Sequence, residues 1–327
     1  MNNQKKLMNW GISALRQKGY MLEQTPEIVV QTPWSTVIRF LTSKGSFYLK
    51  QTPPDLFIET KIIKAIQNNM ENSLTPRIIS QNPDLNCYIM ASCGNHSLRT
   101  KFNGVIDAEL LVQGLKTYIK IIRSSEQNLE IFEKIGMPDW RIHRIPDLFV
   151  DFLNKKDMLL QEGLTQDELD KLIGLVPTIQ SICDSISEKK IKNTLVNGDF
   201  NENNMISNES THHISLIDWG ESVITHPFFS IASLLRNNAR RYKLDLNGLF
   251  LEDIKQKCLS NWLDVASEAE LNTIYQSIQR ILPIFSTLAI HRLQVVTHNK
   301  SKELQNWFIA GFLRSLLENE SKNVSPT

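Results

Sequence analysis

The first part of the chain alternates between hydrophobic and polar residues in the way that β-strands do. Segment 35–50, STVIRFLTSKGSFYLK, contains two such runs joined by Ser-Lys-Gly-Ser, residue types that favour a tight turn. Segment 75–92, TPRIISQNPDLNCYIMAS, contains two more runs around an Asn-Pro-Asp turn. These patterns predict two pairs of β-strands, with a helix before the first pair.

Between these strand pairs and after them, hydrophobic residues recur every three or four positions, which is the spacing of one face of an α-helix. Segment 58–66, IETKIIKAI, predicts a helix that follows the first hairpin. From about Leu98 onward the helical spacing dominates in four long segments. They are 108–124, 165–186, 251–266 and 270–296. The second part of the chain is therefore expected to be mostly α-helical.

One segment interrupts the helical pattern. Residues 194–219 contain three short β-like pieces, TLVNGDF, NMIS and HISLIDW, of which the last two could form a hairpin. The polar end of the chain, 318–327, has the composition of a disordered segment. We expect an α+β fold in two lobes. They are a small β-rich lobe, residues 1–92, and a helical lobe, residues 93–327.

Composition narrows the class of protein. The chain has 327 residues, 41% of them hydrophobic, and 36 basic side chains against 35 acidic ones. This balance is typical of a soluble globular protein and does not favour nucleic acid as a partner. No run of eighteen apolar residues predicts a membrane span, and the first twenty residues do not resemble a signal peptide. Four cysteines without CxxC spacing fit a reducing compartment, so we expect a cytoplasmic protein.

The segments NGDFNENN and LIDW concentrate oxygen-bearing side chains around short strands. Asn204 and Asp218 offer an amide and a carboxylate, ligands that suit Mg²⁺. Asp199, on the loop before Asn204, could accept a proton from a substrate hydroxyl. Any one of these residues could instead be an ordinary turn or cap residue. Their combination in chain order, downstream of a strand that contains a lysine, favours the functional interpretation.

In these motifs the sequence resembles the aminoglycoside phosphotransferase and choline kinase family, relatives of protein kinases. The catalytic segment of that family has the form H-G-D-[LF]-[HN]-x-x-N, followed by an apolar strand and [IL]-D-[WF]. The resemblance implies a two-lobed protein-kinase-like fold and transfer of the γ-phosphoryl group of ATP to a hydroxyl of a small molecule. It also implies that Asp199 orients or deprotonates this hydroxyl, while Asn204 and Asp218 hold magnesium against the phosphates.

In the first lobe the resemblance extends to Lys50, which would bind the α- and β-phosphates, and to Glu59, which would hold the lysine in place. On their own, these residues could be an edge-strand charge and an exposed helix residue. Segment 88–98 would be the hinge between the lobes, with main-chain groups from Met90 to Ser92 facing the adenine. An ordinary linker is equally compatible with that segment.

The sequence departs from the family pattern in three places. Asn197 stands where the family commonly has histidine, and Ser230 stands where it usually has an acidic residue. The loop QTPWST, expected over the phosphates, lacks glycine, and Pro33 removes a backbone donor. Ser35 and Thr36 could contribute hydroxyls instead. A catalytically weak or inactive kinase-like protein that binds a nucleotide or a partner is therefore the second hypothesis, and a scaffold without nucleotide chemistry is the third.

The acceptor is less well defined. From residue 221 onward the chain has ten acidic and twelve basic side chains, which argues mildly against a polycationic aminoglycoside. Large aromatic side chains could form a cage for a quaternary amine, although such residues are more often core. They are Trp219, Trp262, Tyr275 and Trp307. Arg236 and Arg240 share a helical face that could receive an anion or could simply be solvated.

Overall fold

The computed structural model describes residues 3–69, 74–298 and 309–324. The chain forms two compact units. The first contains the described residues of Met1–Ile121, Glu202–Glu221 and Val296–Lys300, and the second contains those of Ile122–Asn201, Ser222–Val295 and Ser301–Thr327. The lobe boundary expected after residue 92 stays a prediction.

The larger sheet of the first unit is antiparallel and follows the order β1-β2-β3-β5-β4. Its strands are β1 Glu27–Gln31, β2 Thr36–Thr42, β3 Gly45–Gln51, β4 Ile78–Asn82 and β5 Cys87–Ala91. The two pairs predicted from the sequence, β2 with β3 and β4 with β5, are confirmed. The sequence did not predict β1, because this edge strand is mostly exposed and lacks alternation between buried and exposed residues.

The helices of the first unit also match the expected spacing. They are α1 Asn3–Gln17, α2 Glu59–Asn69, α3 Leu98–Phe102 and α4 Ala108–Ser125, whose last residues belong to the second unit. Helix α2 follows β3 after a short 3-10 turn, Pro54–Ile58, which begins with a proline at its first position. The helix predicted after the first hairpin is confirmed.

Helix α1 packs on one face of the five-stranded sheet. Leu7, Ala14 and Leu15 of the helix form a buried cluster with alternate residues of three strands. These strand residues are Ile38, Phe40, Phe47, Leu49, Cys87 and Ile89. Because successive side chains of a strand point to opposite faces, Lys50 and Tyr88 lie on the face turned away from α1.

Five short strands complete the β-structure described. In the first unit β6 His96–Ser97, β8 Met205–Ser207 and β9 Ile214–Leu216 form an antiparallel sheet in the order β6-β8-β9. In the second unit β7 Thr194–Val196 pairs with β10 Val223–Thr225. The expected hairpin between Asn204 and Asp218 is confirmed as β8–β9.

The second unit is mostly helical, as predicted. Its remaining helices are α5 Leu129–Ile135, α6 Ile145–Leu153, α7 Lys156–Gln161, α8 Gln166–Gly174, α9 Val176–Ser187, α10 Phe228–Tyr242, α11 Leu249–Leu259, α12 Glu268–Val296 and α13 Ile309–Val324. Segment 165–186 is two helices rather than one, because Pro177 begins a new helix in the first turn of α9. No helix in the described ranges has the length and apolar character needed to cross a membrane.

The disorder expected for residues 318–327 is wrong for residues 318–324, which continue α13. Arg280 of α12 donates two hydrogen bonds to Glu320, at 3.0 and 2.6 Å, and the Glu320 side chain is 5% exposed. This bidentate ion pair fixes a segment whose composition alone could not order it. Residues 325–327 lie outside the described ranges.

His226 occupies the turn that leads into α10, within the segment where the sequence departs from the family pattern. Its Nδ1 accepts a hydrogen bond from the Phe228 N–H at 3.2 Å, and the ring lies edge-on to Phe228. Ser230, in the first turn of α10, donates its hydroxyl to Pro227 O at 3.1 Å. Burial lowers the pKa of His226 to about 3, so this residue caps the helix as a neutral imidazole.

We predict that His226 makes the protein sensitive to acid. Its pKa is lower in the folded chain than in the unfolded chain, so the unfolded chain takes up the proton first. The free energy of unfolding should therefore fall as the pH drops from about 6.5 towards about 3, by up to about 1.4 kcal/mol per pH unit. Urea unfolding at several pH values measures how the free energy of unfolding depends on pH. His226→Asn, which keeps a hydrogen-bond acceptor, should show a weaker dependence on pH between about 6.5 and 3, whereas His213→Asn, at an exposed position, should show the same dependence as the wild type. Equal slopes in all three proteins would contradict the prediction.

We also predict that α1 cannot accept a side chain at Gly11. A Cβ at this position would overlap the Phe40 ring and lie 3.2 Å from Leu49 Cδ1. Gly11→Ala should lower the free energy of unfolding by roughly 1–3 kcal/mol because it overpacks the core. Gly174→Ala in α8 is the matched control, since a Cβ there meets no atom within 4 Å. In urea unfolding, Gly11→Ala should lower the free energy of unfolding and Gly174→Ala should not. An unchanged free energy of unfolding in Gly11→Ala would contradict the prediction and show that the helix moves to accommodate the methyl group.

Candidate active site

A buried lysine lies between two carboxylates in the first unit. Lys50 Nζ donates to Glu59 Oε2 at 2.7 Å and to Asp218 Oδ1 at 2.6 Å. The side chains of Lys50 and Glu59 are 7% and 1% exposed, whereas that of Asp218 is 35% exposed. Three residues predicted from separate motifs therefore form one cluster, and Asp218 is its most accessible member.

Each member of the cluster comes from a different element. Lys50 lies near the end of β3, and Glu59 is the first residue of α2, so that only the 3-10 turn and a few residues separate them. Asp218 follows β9 with a φ of 65°, in the left-handed region that aspartate tolerates better than most residues. This conformation ends the strand at the cluster.

The cluster is stabilised by charge pairing in a buried environment. Burial alone would lower the pKa of Lys50, but Asp218 and then Glu59 raise it well above its ordinary value. Burial raises the pKa of Glu59, and the positive charge of Lys50 opposes this effect. Lys50 is therefore a permanent cation, and its charge is available to a phosphate only in competition with two carboxylates.

Glu59 also fixes the backbone after Asp218. Its second oxygen, Oε1, accepts a hydrogen bond from the Trp219 N–H at 2.9 Å. The Trp219 indole donates to Leu216 O at 3.2 Å, and its ring stacks on Tyr118 at 6.2 Å between centroids. At Gly220 a Cβ would lie 3.1 Å from Leu56 O, so the chain passes close to the 3-10 turn. One carboxylate thus holds both Lys50 and the segment that carries Asp218.

Asn204 and Asp218 come from segments that the structure brings side by side. In the β8–β9 hairpin Met205 pairs with Leu216, and the Ile217 N–H donates to Asn204 O at 3.0 Å. Their amide and carboxylate oxygens suit Mg²⁺, which commonly uses one or two protein ligands and completes its shell with phosphate and water oxygens. Among the described residues no group of three His, Cys, Asp or Glu side chains could hold a metal. The residues fit magnesium bound together with a phosphate, and the metal role stays a prediction.

A second buried ion pair supports Asn204. Glu202 lies in the same 3-10 turn, Glu202–Asn204, and its side chain is 1% exposed. Arg99 of α3 donates its Nε–H to Glu202 Oε1 at 2.7 Å. The pair ties this turn to α3, next to the strand β6 that joins the β8–β9 sheet.

A small cleft opens beside the lysine cluster in the first unit. Its lining residues are Trp34, Ser35, Lys50, Thr52, Leu56, Glu59, Asp218, Gly220 and Glu221. The glycine-free loop contributes Trp34 and Ser35, whereas Thr36 is the first residue of β2. The Ser35 N–H donates to Thr32 Oγ1 at 3.0 Å, so this backbone donor is already used within the loop.

The segment proposed as the hinge is tied into the larger sheet. Met90 pairs with Tyr48 and Ile78, the Ala91 N–H donates to Arg77 O at 2.9 Å, and the Ser92 N–H donates to Ser46 O at 3.0 Å. Any contact of Ala91 or Ser92 with a base would therefore use a carbonyl or a side chain. The role of Met90 to Ser92 in binding adenine stays a prediction.

Asp199 belongs to the second unit, on the turn that follows β7. Its N–H donates to Asn197 Oδ1 at 2.9 Å, and Asn197 is 2% exposed. Asn201 Nδ2 donates to the Asp199 carboxylate at 3.0 Å and to its main-chain oxygen at 2.8 Å. Asn197 thus shapes the loop at the position where the family commonly has histidine, and Asn201 orients the exposed carboxylate.

The proposed aromatic cage finds no support in the described residues. Trp219, Trp262 and Tyr275 are each at most 2% exposed, and the Trp262 ring packs edge-on against Phe228. Trp307 lies outside the described residues. Arg236 is half-buried on α10, and burial followed by the nearby Arg240 charge lowers its pKa.

Several residues around the site were not predicted from the sequence. Tyr88 is the direct cross-strand neighbour of Lys50, and Trp34 lines the cleft. The alternation of β3 and β5 could have placed Tyr88 beside Lys50, had the register of the two strands been known. No sequence signal indicated that Arg99 would pair with Glu202, because this contact joins positions 103 residues apart.

We predict that Lys50 and Glu59 depend on each other for stability. Lys50→Met should lower the free energy of unfolding by about 3 kcal/mol or more, because it leaves buried negative charge unpaired. Adding Glu59→Gln should recover part of this loss, since glutamine can still accept the Trp219 N–H without a charge. Urea unfolding of the single and double variants measures the coupling. Lys61→Met, on the exposed face of α2, is the control, and strictly additive effects would contradict the prediction.

Comparison with known proteins identifies the fold of the chain. A scan of protein-family models found no match to the sequence, and neither did a search of curated proteins. Solved structures do match. An ethanolamine kinase of Plasmodium vivax aligns with a TM-score of 0.64 and 16% identity, over 89% of this chain and 82% of that chain.

Two aminoglycoside-bound structures align over almost the whole chain. A thermostable mutant of the aminoglycoside phosphotransferase APH(4)-Ia, in a ternary complex with ADP and hygromycin B, has a TM-score of 0.56 and 12% identity, over 98% of this chain and 99% of that chain. APH(2")-IIia, in a complex with GDP and kanamycin, has a TM-score of 0.60 and 13% identity, over 97% and 99% of the two chains. The chain therefore has the protein-kinase-like fold of the aminoglycoside phosphotransferase and choline kinase group, as the sequence motifs predicted.

Proposed function

We propose that the protein is an ATP- and Mg²⁺-dependent phosphotransferase that moves the γ-phosphoryl group to a hydroxyl of a small molecule. The observation that carries this proposal is the buried Lys50, held between Glu59 and Asp218 at the edge of a cleft. Burying these charges costs free energy that packing with apolar residues would avoid. The presence of these three charged side chains together in a kinase-like fold is explained if Lys50 binds phosphate.

Each residue of the site has a distinct part in the proposal. Lys50 offsets the charge of the α- and β-phosphates, and Glu59 keeps the Lys50 ammonium group at the cleft. Asp199 accepts the proton of the acceptor hydroxyl, from a loop that Asn197 and Asn201 hold in shape. Asn204 and Asp218 would hold magnesium, which neutralises charge on the transferred group when it is bound.

The glycine-free loop should make phosphate binding weaker than a glycine-rich loop would. Pro33 has no N–H, and that of Ser35 is used by Thr32. The Ser35 hydroxyl and the Lys50 ammonium are then the main groups of this region that could meet the phosphates. We therefore expect a nucleotide affinity that depends strongly on the metal.

The acceptor in this proposal is a small molecule with a hydroxyl group. The structural neighbours include an ethanolamine kinase and phosphotransferases solved with hygromycin B or kanamycin, and their nucleotides are ADP and GDP. These ligands support a small hydroxyl-bearing acceptor and leave both purine nucleotides to be tested. A cytoplasmic location without a nucleic-acid partner is part of the proposal.

A kinase-like protein with little or no transfer activity is the second candidate. The loop around Pro33 and the replacement of an acidic residue by Ser230 favour it, because both reduce the usual support for phosphates and for the catalytic loop. This candidate predicts nucleotide binding without transfer. A scaffold predicts neither binding nor transfer.

Thermal unfolding with and without nucleotide separates these functions. We expect Mg²⁺ with ATP or GTP to stabilise the wild type, by about 2.7 kcal/mol at a ligand concentration one hundred times Kd. Asp218→Asn should lose the magnesium-dependent part of this shift. Asp84→Asn, the same change in an exposed turn, is the matched control. The absence of any shift in the wild type with either nucleotide would favour the scaffold.

Transfer itself is tested by nucleotide diphosphate release with a panel of aminoglycosides, choline, ethanolamine, sugars and homoserine. Asp199→Asn should keep the nucleotide-dependent thermal shift and lower turnover by about 10²-fold or more, because it removes the proton acceptor. An unchanged turnover would remove Asp199 from the catalytic role. Nucleotide binding without transfer to any acceptor would favour the weak or inactive kinase.

A further inference from the structure

Tyr88 is a cross-strand neighbour of Lys50 and has no part in the proposed mechanism. The two are directly opposite each other in the β3–β5 ladder, so their side chains share the sheet face that carries the ion pair. Tyr88 is 0% exposed, although its side chain ends in a polar hydroxyl. A phenol at this position is therefore buried beside a buried cation.

The hydroxyl of Tyr88 lies next to the Glu59 carboxylate, close enough to interact with it, but makes no hydrogen bond of standard length and angle with any residue that the structure describes. A buried polar group without a partner destabilises the folded protein, so such groups are rare unless they have a role in another state. The charged groups that face this hydroxyl are Glu59, Lys50 and Asp218. Burial and the Glu59 charge raise the pKa of Tyr88 well above its ordinary value, so the phenol stays protonated and able to donate.

Nucleotide binding would change the demand on Glu59. The Lys50 ammonium has three hydrogens, and Glu59 and Asp218 now accept two of them. Phosphate oxygens would compete for these hydrogens and would weaken the hydrogen bond from Lys50 Nζ to Glu59 Oε2. Glu59 Oε1 remains bonded to the Trp219 N–H. Glu59 is buried, so water cannot readily replace the lost hydrogen bond.

We propose that Tyr88 is a positioning residue for the phosphate-binding lysine: its hydroxyl donates to the Glu59 carboxylate when a nucleotide draws Lys50 towards the phosphates. This keeps Glu59 in place, so Lys50 can turn to the phosphates without leaving the cleft. The inference rests on the proposed nucleotide site. It differs from a packing role, because the hydroxyl forms a full hydrogen bond to Glu59 only in the nucleotide-bound state.

Tyr88→Phe provides the test, since it removes the hydroxyl and keeps the ring. Without nucleotide, the melting temperature should be equal to or higher than that of the wild type, because a buried group without a partner is gone. With Mg²⁺ and ATP, binding should be about three- to tenfold weaker, the worth of one hydrogen bond. Adenosine, which has no phosphates, should bind both proteins equally. Tyr20→Phe, a partly exposed tyrosine of the same unit, is the matched control.

The outcomes separate this inference from the proposed function. Weaker binding of the triphosphate with unchanged stability of the free protein supports the role of Tyr88. Equal triphosphate binding by the wild type and Tyr88→Phe overturns it and leaves the nucleotide site standing, as does a parallel loss of stability and of adenosine binding. If the wild type binds neither ATP nor GTP, the proposed function fails and this inference fails with it.

Discussion

The need to neutralise one buried lysine organises the first unit. The Lys50 side chain is only 7% exposed, and a buried ammonium group stays charged in a folded protein when it is paired with carboxylates within hydrogen-bonding distance. Glu59 and Asp218 meet this requirement from α2 and from the end of β9, and Glu59 in turn accepts the Trp219 N–H. A strand, a helix and a hairpin distant in sequence are thus held to one another by a single charge.

The elements around this charge were predictable where local pattern decides structure. The alternation in β2, β3, β4 and β5 and the helical spacing of α2 and α4 were sufficient to predict them. The strand β1 was missed because its exposed side chains carry no pattern, and the end of α13 was misjudged because its order comes from the ion pair between Arg280 and Glu320. Composition cannot reveal a tertiary contact of this kind.

The residues of the candidate site also differ in whether the sequence alone could indicate them. The structure brings Lys50 and Asp218, which come from separate motifs, into one cluster, and Asn204 lies at the start of the hairpin that leads to Asp218. Tyr88 was missed because its importance depends on strand register, and Glu202 because its partner Arg99 lies on a distant helix. The glycine-free loop lies at the cleft, as the sequence suggested, but one of its backbone donors is not free. The Ser35 N–H donates to the Thr32 hydroxyl, so the loop is a closed turn.

The position of Trp34 has a practical consequence. Trp34 lines the cleft beside Lys50 and is half-buried, whereas Trp140, Trp219 and Trp262 are at most 7% exposed. Indole emission responds to the polarity and charge around the ring, so a molecule entering the cleft would alter the signal of Trp34 far more than that of the buried rings. The chain therefore carries an intrinsic optical reporter at the site, and occupancy could be followed in solution without attaching a dye.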